Sequence, residues 1–152
     1  MHAERPALHF TFNNVRFDRG GASAYYEILL GVAGDFAIIV AGKTLYAEEE
    51  FCLAEFAAAL AEWWQRRASA PSDFSYDSLE SDEDELVWIR TTAGHGRIGA
   101  RYQEYEETYA FPLNVIGAVI QEYVTALQQE LAARFAIDWH AFLRLHTEQY
   151  RS

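Results

Sequence analysis

The run FCLAEFAAALAEWWQRR, Phe51 to Arg67, carries the most regular helical pattern in the chain and decides how its neighbours must fold. Phe56, Leu60, Trp63 and Trp64 recur at three- and four-residue spacing, with Cys52 and Leu53 one turn earlier. Glu55, Glu62 and Arg66 are expected on the opposite side. One face of this helix is thus an apolar wedge ending in two tryptophans. It needs more partner surface than one helix offers, so strands before and after it must supply a sheet.

Working upstream, Leu8, Phe10 and Phe12 alternate with His9, Thr11 and Asn13, and Val15 and Phe17 resume the apolar phase one residue late. This predicts a strand with a bulge near Asn13 and Asn14. Asp18 to Ser23 reads as a turn. Ala24 to Val32 and Phe36 to Val40 read as two strands joined at Ala33, Gly34 and Asp35, and Gly42 and Lys43 as a turn before a strand from Thr44 to Ala47. Glu48, Glu49 and Glu50 then stand before the helix, where negative charge meets the positive end of its dipole.

Downstream, Ser69 to Ser72 end the helix and open a segment without a basic residue until Arg90. Asp73, Asp77, Glu80, Asp82, Glu83, Asp84 and Glu85 crowd it, interrupted by Phe74 and Tyr76 in a short strand, and Glu80 to Glu85 reads as an exposed loop. Leu86 to Thr92 and Arg97 to about Glu104 suggest a hairpin with a four-residue loop from Ala93 to Gly96. That loop would pair Thr92 with Arg97, Arg90 with Gly99 and Trp88 with Arg101, the last a cation and ring contact. Val87, Ile89, Ile98, Ala100 and Tyr102 would face the core. Pro112 introduces a long helix, about Leu113 to Arg134, with the stripe Leu113, Ile116, Ile120, Tyr123, Val124, Leu127 and Leu131. Asp138 can cap a last helix in which Trp139, Phe142, Leu143 and His146 share a side. The order predicts one α+β domain over residues 1–152. Its expected form is an antiparallel sheet of about six to seven strands with two main helices packed on one face and a short C-terminal helix.

Composition narrows the function. With 51% hydrophobic and 15% aromatic residues the chain is a globular domain with a substantial core. A formal net charge of -11 repels phosphate backbones and anionic membranes, which argues against direct nucleic-acid or membrane binding. One cysteine cannot form an internal disulfide. No signal-peptide pattern or uncharged apolar run of membrane-spanning length is seen, so a cytoplasmic location is expected.

Catalytic signatures are not found. Cys52 sits at a helix start but in the apolar context of a small core residue. His2, His9, His95, His140 and His146 lack metal-ligand spacing, and Gly94, His95 and Gly96 form a loop tip. Asp82 and Asp84 match part of a calcium loop, without its turn glycine or its final glutamate. No cofactor, metal or catalytic residue is therefore called for. The acidic segment is the better lead, because uncompensated acids repel one another and a cationic partner relieves that repulsion. A second candidate is the face formed by Trp88, Arg90, Arg97 and Arg101, which could hold an anionic ligand, although pairing with the neighbouring acids is the simpler use of those arginines.

The stretches FTFNNVRFD, YEILLGVAGDFAIIVAG with the LAEFAAALAEWW helix, and DFSYDSLESDEDELVWI together resemble an uncharacterised family of small acidic bacterial proteins. In size, acidity and sheet-then-helix order that family is similar to the immunity proteins of polymorphic toxin systems. The resemblance implies a non-catalytic module that neutralises a basic toxin or nuclease by binding it. On this reading Asp73 to Glu85 steer the partner, Glu48 to Glu50 assist, and Phe74 or Tyr76 serves as an aromatic anchor. Two alternatives remain: an anion-binding or enzymatic domain using the arginine face, and a structural subunit that oligomerises.

Overall fold

The structure, a computed structural model, describes residues 6–17, 25–69, 72–78 and 84–151. The turn expected at Asp18 to Ser23 lies outside them. β1 (Leu8–Phe17) is followed by α1 (Tyr25–Gly31), β2 (Val32–Val40), β3 (Lys43–Cys52) and α2 (Leu53–Arg66). β4 (Phe74–Tyr76), β5 (Val87–Thr92), β6 (His95–Ala100) and β7 (Phe111–Pro112) come next, then α3 (Leu113–Phe135) and α4 (Trp139–Arg151). The α+β class holds, but the strands form two antiparallel sheets, β1-β2-β3 and β4-β5-β6-β7, where a single sheet is expected. The chain leaves β3 directly into α2, and β3 approaches β6 without a ladder. One backbone bond, from Glu104 N–H to the Leu45 carbonyl at 2.7 Å, joins the two neighbourhoods.

Helices α2 and α3 pack on each other, and each touches both sheets, α2 at β2 and β4, α3 at β1, β6 and β7. Phe56 is the centre of this arrangement. Its ring lies 5.1 Å from Phe36 and 5.2 Å from Phe51 in one sheet, 5.1 Å from Tyr76 in the other, and 5.7 Å from Tyr123 of α3. Trp63 is buried and donates its indole N–H to the Ser72 carbonyl at 2.9 Å, fixing the exit from α2. Trp64 lies flat on Gly117 of α3, where a Cβ would meet its ring at 2.1 Å, and the Arg67 guanidinium covers it at 3.6 Å. Both tryptophans therefore serve the helix pair. Among the described residues no helix is long and apolar enough to cross a membrane.

Several expectations are corrected. Ala24 to Val32 is not a strand: Tyr25–Gly31 is helical and sets Ile28 and Leu29 into the core, a choice that a short apolar run leaves open. Gly34 is not a turn residue but lies inside β2. A Cβ there would stand 2.8 Å from the Asn13 carbonyl and 2.9 Å from Leu53, so glycine permits the close approach of β1 and α2. The expected bulge is present, with the register shifting between Asn13 and Arg16 and Asn14 at φ 54. The β5-β6 hairpin turns on two residues, Ala93 and Gly94, at φ 50 and 80, so Thr92 pairs with His95, Arg90 with Arg97 and Trp88 with Gly99. A shift of two positions keeps every side chain on its expected face. Only Tyr102 departs, because β6 ends at Ala100 and leaves that ring 59% exposed.

Truncating Phe56 to Ala should cost about 3–5 kcal/mol, the usual penalty for an aromatic cavity, against about 1–2 kcal/mol for Phe56→Leu. Urea unfolding followed by tryptophan fluorescence and far-UV circular dichroism should give coincident transitions in both variants. A cost below about 1 kcal/mol for the alanine would show that the two sheets do not depend on this ring.

Candidate functional site

The acidic segment divides into acids with structural duties and acids turned to solvent. Asp73 Oδ1 accepts the Thr91 backbone N–H at 2.8 Å and its hydroxyl at 3.1 Å, tying the start of β4 to β5. Asp77 Oδ1 accepts the Glu85 N–H at 2.6 Å and so clamps the two ends of the connection between β4 and β5. Asp84 and Glu85 are exposed, and Glu80, Asp82 and Glu83 lie outside the described residues. Phe74 and Tyr76 are 4% and 2% exposed, since β4 alternates and both rings enter the aromatic core. Neither can serve as a surface anchor.

Glu48, Glu49 and Glu50 are also repositioned. They belong to β3 rather than to a helix entry, and α2 begins after Cys52 with Glu55 in its first turn. Glu50, at φ 59, reaches across β2 to Arg16. Glu48 and Glu49 join Asp35 and Asn13 around a shallow depression of about 370 Å³ floored by small residues such as Ala37 and Ala47. Among the described residues no basic side chain lines it.

The sheet brings the arginine face together. The Trp88 ring lies on Gly99, where a Cβ would come within 2.1 Å of it, and the Arg90 guanidinium stacks on that ring at 3.9 Å. The cation on Trp88 is therefore Arg90, not Arg101, as the two-residue turn requires. Arg101 donates to the Asp84 carbonyl at 3.2 Å, Arg90 stands 3.9 Å from Glu85, and Arg97 stands 3.8 Å from Glu106. The acids near these arginines are used for internal pairing.

A buried polar cluster escaped the reading of the sequence. Glu55, expected on the solvent side of α2, is 6% exposed and accepts the Tyr76 hydroxyl at 2.6 Å. Burial, and the Glu55 carboxylate beside it, push the Tyr76 phenol far above its ordinary range, so it stays a donor at every accessible pH. Tyr123 donates to the Leu53 carbonyl at 2.9 Å, and burial raises its phenol in the same way. The Ser78 hydroxyl lies 3.9 Å from Cys52 Sγ, in the sulfur's hydrogen-bonding range. One signal was available: Glu55 is one position before Phe56 and one turn after Cys52, at the edge of the apolar wedge. On α4, His146 is 5% exposed and its Nε2 lies 3.3 Å from Glu62 Oε2. Burial lowers its pKa, against the pull of Glu62 and, behind it, Glu55. Among the described residues no group of three His, Cys, Asp or Glu side chains could hold a metal ion.

Two outcomes follow from this cluster. Tyr76→Phe should destabilise the protein by about 1–3 kcal/mol by stripping a buried carboxylate of a donor, and by clearly less in a Glu55→Leu background, as a double-mutant cycle in urea would read. Because the folded-state pKa of His146 is lowered, its contribution is fully present above the unfolded value near 6.5 and is lost as pH falls through the folded value. Unfolding free energies from pH 7.5 down to about 5 should therefore fall more steeply for the wild type than for His146→Gln. Parallel curves would show that His146 does not titrate on unfolding.

No curated protein and no solved structure matches the chain. The model of a family described as a domain of unknown function, DUF7878, matches residues 8–133, which run from the first residue of β1 almost to the end of α3 and take in both sheets and Phe56. The chain belongs to that family.

Proposed function

We propose that the chain is a non-catalytic module that binds a basic protein partner through its acidic surface, in the manner of an immunity protein neutralising a basic toxin or nuclease. The observation that supports this most directly is the depression rimmed by Asp35, Glu48 and Glu49 and lined, among the described residues, by no cation. Carboxylates held close together on a sheet repel one another, and an incoming lysine or arginine removes that repulsion. The wider charge distribution agrees. Glu55 is the one acid placed in the core among the described residues, and Asp84 and Glu85, before β5 of the other sheet, are exposed in a chain of net charge -11.

The structure changes how the module would work. With Phe74 and Tyr76 committed to the core, the partner is drawn by charge alone in the first encounter, and Asp73 and Asp77 contribute by tying β4 to Thr91 of β5 and to Glu85 before it. Such a surface acts mainly on the rate of association and loses strength with salt.

The test uses a variant carrying Glu48→Gln, Glu49→Gln, Asp84→Asn and Glu85→Gln. A basic partner captured by the wild type at low salt should associate with the variant about tenfold more slowly and with a flatter salt dependence. Co-expression should relieve that partner's toxicity with the wild type and fail to do so with the variant. Equal association rates at every salt concentration would remove the reading.

A further inference from the structure

The outward side chains of β5 and β6 meet in two neighbouring cross-strand pairs, Trp88 with Gly99 and Arg90 with Arg97. Like charges directly opposed in a ladder repel. A chain with 23 acidic and 12 basic residues has acids enough to separate them, and elsewhere it does so closely: Arg134 lies 2.8 Å from Glu130 and Arg16 lies 2.5 Å from Glu50. On this face the carboxylates stand back, at 3.9 Å for Glu85 and 3.8 Å for Glu106. Both are on connections and are 51% and 77% exposed. Arg97 Nε is shielded from solvent and has no acceptor among the described residues, while its Nη2 reaches the Glu107 carbonyl at 3.4 Å. Arg90 is oriented by its stacking on a Trp88 ring that Gly99 in turn fixes. Two arginines are thus paired across the hairpin, with donor capacity left over at Arg97 Nε and with counter-ions that are exposed carboxylates.

The geometry points to a binding site for a small oxyanion of the phosphate class between Arg90 and Arg97. Each guanidinium offers a planar fork of N–H donors, which matches the oxygens of a phosphate group, and a doubly charged ligand relieves both cations at once. Glu85 and Glu106 act as internal competitors that the ligand displaces. The net charge of -11 repels an extended polyanion, which restricts the ligand to a small molecule or a single phosphate group. This site does not rest on the proposed partner; it shares one residue with the acidic surface, Glu85, which faces Arg90.

The test is a titration of the full chain with inorganic phosphate at constant ionic strength, followed by nuclear magnetic resonance at the arginine Nε–H groups, with chloride and malonate in parallel. A saturable shift at Arg97 and Arg90 with phosphate, absent with chloride, supports the site. Arg90→Gln and Arg97→Gln should each weaken phosphate binding about tenfold or more while keeping a native spectrum. Glu106→Gln removes a competitor and should tighten binding by about two- to fivefold, where a merely structural ion pair would leave phosphate affinity unchanged. A shift that stays linear, that chloride reproduces, or that persists in Arg97→Gln overturns the site. Malonate binding as tightly as phosphate overturns the assignment of ligand class.

Discussion

The contact on which the rest of the structure depends is the Phe56 ring, edge-on to Phe36 and to Tyr76 at 5.1 Å in each case. Among the described residues it is the one side chain that meets aromatic rings from both sheets and from α3; the sheets also touch directly through Phe51 and Tyr76 at 5.4 Å, but share no hydrogen-bonded ladder. Two antiparallel meanders of three and four strands have little independent stability, especially when β4 has three residues and β7 two. Packing both on a common helix pair allows them to be stable together. The same requirement turns Phe74 and Tyr76 inward, and a strand of period two that turns these inward must turn Asp73, Ser75 and Asp77 outward. The acidity of the surface here is therefore a geometric consequence of the aromatic core.

The Glu55 and Tyr76 pair sits at this seam. A buried carboxylate is costly unless its lone pairs are satisfied, and an apolar pair of similar volume would often stabilise as well or better. Its bond joins the first turn of α2 to β4 across a connection of several residues, so it distinguishes the native placement of β4 from one displaced by a residue, which would turn Tyr76 outward and take its hydroxyl from the buried Glu55. Tyr123 does the same for α3 by reaching the Leu53 carbonyl, one of the backbone groups where β3 passes into α2. These polar contacts fix register where ring packing alone tolerates sliding.

How much of this was legible in the sequence depends on whether a residue's role is local. The wedge of α2, the stripe of α3, the Asp138 cap and the bulge at Asn14 follow from spacing and turn chemistry within a few positions, and all are present. The helical state of Tyr25–Gly31 was not legible, because seven residues of mostly apolar character satisfy either period. Gly34 carried a turn signal for a reason that lies in Asn13 and Leu53, distant in sequence. In the acidic segment the composition was plain, but which acids are acceptors was not. Asp73 and Asp77 differ from Asp84 through the backbone N–H groups presented to them by Thr91 of β5 and by Glu85 before it. Glu55 was hidden by its own charge, since Tyr76, which donates to it, lies 21 positions away.

Opposite charges on one small surface raise the question of how an acidic chain can keep an arginine pair useful. The two act at different ranges. At physiological ionic strength the screening length is about 8 Å, so the summed charge governs what approaches, while an ion already at the β5-β6 face feels chiefly the nearest guanidinium groups. The acids beside Arg90 and Arg97 sit on connections and not on the strands, so they can move away without disturbing the ladder that fixes the arginines. On the proposed reading, cations fixed on a ladder and faced by exposed carboxylates, within a field that turns away polyanions, favour small anions. The acidic depression on the other sheet shows the inverse arrangement, carboxylates on or beside strands with no cation lining them among the described residues. Each sheet thus presents the charge that its own ladder holds in place, and what can bind there is set by which sign is fixed and which is free to leave.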